Sequence, residues 1–290
     1  MPMPSEQSES ENAYVLDAES ATEMVRLTKQ DQIITKYMQG LLPEGIDPAG
    51  ITAILDIACG PGGWALDVAY EYPKIQVVGI DISRNSIEYA RARAKTQGLE
   101  NNATFKVMDA TKPLDFPDNS FDFVNARFLI GFMLPPAWPQ FMRECMRITR
   151  PGGTIRLIEC EDMGNTNSPA FEKLWMMCAR GFSLARRSFS PEGRNFNVTP
   201  MLGQFLQDAG CRDIKIKAYV IDYSMGTEAY TSMFENWMAG LHLLQPFLIK
   251  MGLTNQEEAD ELYQKALVEM MSDGFRALWY FLSVNGQKPF

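Results

Sequence analysis

Between residues 51 and 160 the chain switches period again and again, and that alternation constrains its fold more than any other feature. Ile51–Ile57 (ITAILDI) is a short β-branched apolar run, and residues 62–72 then read at helical spacing. Ile75–Asp81 (IQVVGID) is a second apolar run. Ser83–Gln97 follows as a helix, with Ser83 or Ser86 as its cap and Gly98 at its end. Ala103–Met108 and Phe121–Ala126 read as the third and fourth strands. Pro136–Ile148 reads as a helix stopped by Pro151-Gly152-Gly153, and Thr154–Cys160 as the fifth strand. Strands apolar along their length are buried on both faces, and the helices between them supply the cover. With right-handed crossovers, the expected class is α/β: a doubly wound, mostly parallel sheet of seven strands.

The flanks read differently. Ser20-x-x-Glu23 is a capping box, and Met24, Leu27, Ile34, Met38 and Leu41 continue at helical spacing, so a helix is expected over 21–41. After Glu161, residues 168–187 read as a helix rich in Phe, Trp and Met. Thr199-Pro200 opens another that Gly210 closes. Ile214–Tyr223 alternates like a strand. Residues 227–250 and 255–272 are helical, the second opened by the capping box Thr254-x-x-Glu257, and Arg276–Val284 reads as a final strand. The expected organisation is a disordered tail over 1–12, an N-terminal helical lid over 13–50 and a Rossmann-like core over 51–162. A helical cap insertion follows over 163–205, then a core helix end and strand over 206–226, a helical lid over 227–273 and a terminal strand over 274–290.

Charge and cysteine usage exclude several functions. The net charge is −9 and no basic stripe is present, which argues against nucleic acid as a partner. The 5 cysteines are widely spaced without a CxxC pair, and the chain has 1 histidine, so neither a disulfide framework nor a metal site is expected. No apolar run is long enough for a membrane span, and the polar, acidic N-terminus has no signal-like apolar region. A cytoplasmic protein is expected.

Leu55-Asp56-Ile57-Ala58-Cys59-Gly60-Pro61-Gly62-Gly63 joins the first strand to its helix. Its glycines let the backbone turn sharply and approach a ligand. Gly60-Pro61-Gly62-Gly63-Trp64-Ala65 also satisfies the dinucleotide pattern GxGxxG/A, with Asp81 downstream. A pyrophosphate at this loop would stand beside Asp56, at a Coulomb cost. S-adenosylmethionine carries no phosphate, and its sulfonium and ammonium suit a nearby carboxylate. Asp81, ending the second strand, can accept both ribose hydroxyls, and Asp109, after the third, can accept from the adenine amino group.

The motifs resemble those of the class I S-adenosylmethionine-dependent methyltransferases. LDIACGPGGW looks like motif I, GIDIS (79–83) motif II, MDA (108–110) the adenine-contact motif, FDFVNARFL (121–129) motif IV and RPGGTIRLIE (150–159) the post-core strand. The subgroup it most resembles is the ubiquinone/menaquinone-biosynthesis type, which acts on small molecules. There an RLxxQ helix closes over the cofactor; here that is Arg26-Leu27-Thr28-Lys29-Gln30, with Tyr14 upstream. Val284-Asn285-Gly286-Gln287-Lys288-Pro289 resembles the group's terminal GxKP strand. The resemblance implies cofactor contacts from Tyr14, Arg26, Gln30, Asp56, Ala58, Gly60, Gly62, Asp81, Ile82, Asp109, Ala110, Asn125 and Arg127. Arg127 is expected either to pair with the cofactor carboxylate or to bridge an acidic lid residue. Motif IV lacks the Pro-Pro-Tyr of amino-directed nucleic-acid enzymes.

The implied reaction is in-line methyl transfer to a carbon, oxygen or nitrogen of a small apolar or aromatic metabolite in a closed pocket. Base candidates are Glu159, Glu161 and Asp162, after the fifth strand, Arg127, after the fourth, and His242 on a lid helix. Phe128, Met133, Trp175, Phe182, Met233 and Trp237 are expected against the acceptor, Met being suited to irregular apolar cavities. A nicotinamide-dependent oxidoreductase and a catalytically inactive cofactor-binding module stay open as alternatives, as does a homodimer.

Overall fold

In the computed structural model, which describes residues 14–290, β1 (Ala53–Ile57) is the centre of the sheet. It pairs in parallel with β2 (Gln76–Asp81) on one side and β4 (Phe121–Arg127) on the other. β3 (Ala103–Val107) extends the β2 edge and β5 (Thr149–Cys160) the β4 edge, both parallel. β8 (Ala277–Gln287) runs antiparallel beside β5, and β7 (Arg212–Asp222) runs antiparallel along the far edge of β8. The expected strands are all present, and a two-residue β6 (Asn165–Thr166) on the β5 side of β8 brings the sheet to 8 strands. The tail read over 1–12 lies outside the described residues.

Ile54, Leu55 and Ile57 of β1 are 0% exposed, as a strand covered on both faces requires. α2 (Gly63–Glu71), α3 (Arg84–Thr96), α4 (Trp138–Ile148) and α6 (Leu202–Asp208) supply that cover. The remaining helices pack on one another above the carboxyl ends of the strands. α1 (Ala21–Met38) lies on α7 (Tyr230–Lys250), while α5 (Pro169–Leu184) lies on α7 and α8 (Gln256–Met270). Among the described residues no helix is long and apolar enough to cross a membrane.

Several boundaries differ from expectation for identifiable reasons. α1 stops at Met38 because Gln39 turns left-handed (φ 56°). That frees the Leu41 carbonyl to accept from Trp64 Nε1 (3.1 Å) and Arg156 Nη1 (2.9 Å). α8 is capped by Asn255, whose side chain accepts from Glu258 N–H, so the capping box is displaced one residue from Thr254 and Glu257. α6 begins at Leu202, because Thr199 and Pro200 lie in a short 3₁₀ turn and the Thr199 hydroxyl donates to Glu161. β5 begins at Thr149, five residues before the expected start, because Pro151-Gly152-Gly153 is a bulged entry to the strand; its register against β4 shifts between Phe121 and Phe123.

Candidate active site

The loop after β1 wraps tightly before α2 begins. Ala58, Gly60 and Gly62 all have positive φ (55°, 52° and 76°). At Gly62 a Cβ would stand 2.7 Å from Phe105 Cε1 and 2.9 Å from Ala90 Cβ, so only glycine fits there. Asp81 holds this loop to the end of β2: Oδ2 accepts Gly60 N–H and Oδ1 accepts Ser83 N–H, both at 2.9 Å. Burial pushes its carboxyl above the usual range against those two bonds. Asp109, beyond β3, accepts Thr111 N–H and its hydroxyl through Oδ1.

A cavity of about 560 Å³ opens over these strand ends and runs beneath α1 and α7. Ala58, Gly60, Asp81, Ile82, Asp109 and Ala110 line it on one side. Tyr14, Arg26, Gln30 and Asp31 line it from above, and Arg127 reaches it from the end of β4. The lid side is a buried polar chain. Tyr14 hydroxyl donates to Glu23 Oε1 (2.7 Å), and Arg26 holds both Glu23 oxygens (2.7 Å each). Arg26 Nη1 reaches Asn236 Oδ1 on α7 (3.0 Å) and also donates to Gln30. The pairing with Glu23 holds the Arg26 guanidinium charged despite burial.

Arg127 takes the second of its two expected arrangements. Nη2 pairs with Asp31 Oδ1 of α1 at 2.6 Å, and the guanidinium lies over the Trp64 ring, 5.7 Å from its centroid. Sequence reading missed Asp31. The signal was there: Leu27, Gln30, Asp31 and Ile34 form one helical stripe, and two of the four are polar on the face that turns inward.

Asp56 and Asn125 lie behind the cavity wall. They sit opposite each other on β1 and β4, and Asn125 faces Arg156 on β5. Asn125 Nδ2 donates to Asp56 Oδ1 and Arg156 Nε donates to Asn125 Oδ1, both at 2.7 Å. Asp56 Oδ2 is buried without a hydrogen-bond partner, and burial pushes this carboxyl up to about 6. Burial and the neighbouring Arg127 charge push Arg156 down to about 9. Gly62 backs onto Phe105 and Ala90 and also lies outside the wall.

Of the base candidates, Glu159, Glu161 and His242 stand outside the cavity lining. Glu159 is 1% exposed and accepts Leu129 N–H, capping the turn after β4; burial pushes it up to about 8. Glu161 accepts from Asn197 N–H, Thr199 N–H and the Thr199 hydroxyl, pinning the segment before α6. His242 is exposed on the outer side of α7, against the Tyr263 ring. Asp162 does line the cavity. Of the acceptor residues, Phe128, Trp175, Phe182 and Trp237 line it. Met133 and Met233 are 0% exposed and stand outside the lining, packed into the two apolar cores.

These residues fit an S-adenosyl nucleoside. Two fixed carboxylates stand at adjacent strand ends, and the backbone turns at Gly60 directly beside the cavity. Asp31 lines the cavity with Oδ2 buried and without a hydrogen-bond partner, suited to a cationic group. A pyrophosphate there would meet these carboxylates, with Arg127 already engaged by Asp31.

The fold and cavity therefore define an α/β protein whose strand-end site fits a nucleoside, and comparison with known proteins narrows the class. A family model described as a methyltransferase domain matches residues 54–153. A demethylmenaquinone methyltransferase from Listeria welshimeri is 30% identical over 171 residues, covering 55% of this chain and 70% of that protein. One from Geobacillus kaustophilus is 29% identical over 178 residues, covering 57% and 73%. The Listeria monocytogenes enzyme is 33% identical over 125 residues, and the match spans half of its length. A Bacillus halodurans protein described as a methyltransferase shares the fold, with a TM-score of 0.52 at 17% identity over 89% of this chain and 100% of that one. This chain belongs to the class I S-adenosylmethionine-dependent methyltransferases of the menaquinone/ubiquinone type. Its cofactor is S-adenosylmethionine.

Proposed function

We propose that this protein methylates a small, flat, aromatic acceptor of the quinone type in a closed pocket. The observation that carries this reading is the continuation of the cavity past the strand ends into a chamber walled by rings. Phe128 and Trp279 stack at 5.9 Å, and Trp237 meets Trp279 edge-on at 5.5 Å. Such walls bury a flat apolar ring well. The demethylmenaquinone methyltransferase name carried by the Listeria and Geobacillus relatives supports the same acceptor class.

In this reading Asp81 accepts the ribose hydroxyls and Asp109 the adenine amino group. Tyr14, Arg26 and Gln30 close the lid over them. The bound cofactor supplies a methyl group already activated on sulfonium. The chain's own work is then alignment and exclusion of water. Fixing two reactants in an attack geometry is worth roughly 7–11 kcal/mol of a barrier. α1 and α7 shut the chamber, held together by Arg26–Asn236 in the interior and Lys29–Glu235 at the surface.

The test is mass spectrometry of products after incubation with S-adenosylmethionine and 1,4-dihydroxynaphthalene, kept reduced, beside glycine and plasmid DNA. Methylated naphthalene alone is expected. Methylation of glycine or DNA with none on the naphthalene would overturn the reading.

A further inference from the structure

From β5 onward, the described residues that line the cavity include one charged side chain. Trp175, Phe182, Trp237 and Trp279 contribute rings and Met163 a thioether, and Asp162 contributes a carboxylate among them. It lies far along the sheet from Asp81 and Asp109, beyond β4 and β5, on the side where the ring-walled chamber opens.

Local geometry explains why this acid reaches the chamber while its neighbours do not. β5 ends at Cys160 and the chain bends over residues 161–163, which brings Asp162 and Met163 to the cavity beside Cys160. Glu159 and Glu161 turn instead to the amides of Leu129, Asn197 and Thr199. Asp162 is also held still. Its Oδ1 accepts Gly164 N–H and its main-chain oxygen accepts Trp279 Nε1, both at 2.9 Å. Neither bond uses Oδ2. The ionisable groups around it are Glu161, Cys160 and Tyr223, none of them cationic. Burial accordingly pushes this carboxyl above the usual range, which makes it a better proton acceptor than a surface aspartate.

We propose that Asp162 is the catalytic carboxylate of the acceptor chamber: Oδ2 accepts the hydrogen bond of a ring hydroxyl on the acceptor and takes its proton during methyl transfer. This rests on the aromatic-acceptor reading above and narrows it to hydroxylated rings. The acceptor's O–H bond breaks and the proton bonds to Oδ2. The electron pair left on the acceptor, on that oxygen or delivered through the adjacent ring carbon, forms the bond to the methyl carbon. The carbon–sulfur bond breaks with its electrons kept on sulfur, and Asp162 passes the proton to water.

A purely structural role for Asp162, the turn to Gly164, is separable. Asp162→Asn keeps an oxygen for Gly164 N–H and removes the charge. The probes are 1-naphthol and 1-methoxynaphthalene, titrated by calorimetry into protein saturated with S-adenosylhomocysteine. The naphthol-to-ether affinity ratio is expected to fall ~10-fold or more in Asp162→Asn, with affinity for the ether and for S-adenosylhomocysteine unchanged. In the wild type the ratio falls as acidification protonates the carboxyl; in the variant it is flat. An unchanged ratio, or equal losses for both naphthalenes, overturns the role of Asp162 and leaves the aromatic reading standing. If S-adenosylhomocysteine binds and neither naphthalene does, the aromatic reading and this proposal both fall.

Discussion

Asp31 on the lid helix and Arg127 at the end of β4 pair at 2.6 Å with 11% and 10% of their side chains exposed, joining the lid to the catalytic sheet inside the cavity wall. Removing one partner of a buried pair leaves the other charge stranded. Asp31→Asn is expected to lower stability by about 3 kcal/mol in urea denaturation and to speed amide exchange in α1. Adding Arg127→Met should recover part of the loss, because the guanidinium stranded by Asp31→Asn is then gone.

Glu159 makes stability depend on pH. Burial raises its carboxyl from an ordinary 4.5 to about 8, outweighing the backbone amides that favour the charged form. Between those values the folded chain holds a proton that the unfolded chain has released. The contribution is therefore complete below pH 4.5 and is lost as pH rises through 8. The wild type should lose stability between pH 5 and 8 more steeply than Glu159→Gln, which keeps an oxygen for Leu129 N–H and cannot ionise. Parallel urea midpoints across that range for the two proteins would contradict this.

Gly62 is required by space and by backbone together. Gly62→Ala would place a methyl 2.7 Å from Phe105 Cε1 at a φ of 76°. The expected loss is about 2–4 kcal/mol, from left-handed strain plus overpacking. Thermal unfolding reads it directly. A change under about 0.5 kcal/mol would show that the loop yields.

How much of this was legible in the sequence follows from the range of each interaction. The strand alternation of β1–β5 and the Gly60–Gly62 turn are local patterns, and the structure shows them within a few residues of expectation, the early start of β5 being the largest departure. Asp81 at its strand end is a local inference too. The Asp31–Arg127 pair joins residues far apart in the chain, and no spacing rule marks it. His242 among leucines gave no sign of which side of α7 faces the interior, and it lies outside. Glu159, Glu161 and Asp162 were read as one acidic cluster. The chain bends over residues 161–163 as β5 ends, so no strand periodicity separates them, and only the observed cavity shows that Asp162 faces inward.

The most direct measurement is calorimetry with S-adenosylhomocysteine on the wild type and on Asp81→Ala, with NAD⁺ as the counter-ligand. In the proposed reading Asp81 accepts two charge-assisted hydrogen bonds from the ribose hydroxyls, so the variant should bind about 100-fold more weakly or not measurably, and NAD⁺ should not bind. Unchanged affinity in Asp81→Ala, or NAD⁺ binding in its place, would contradict the assignment of this cavity to an S-adenosyl cofactor.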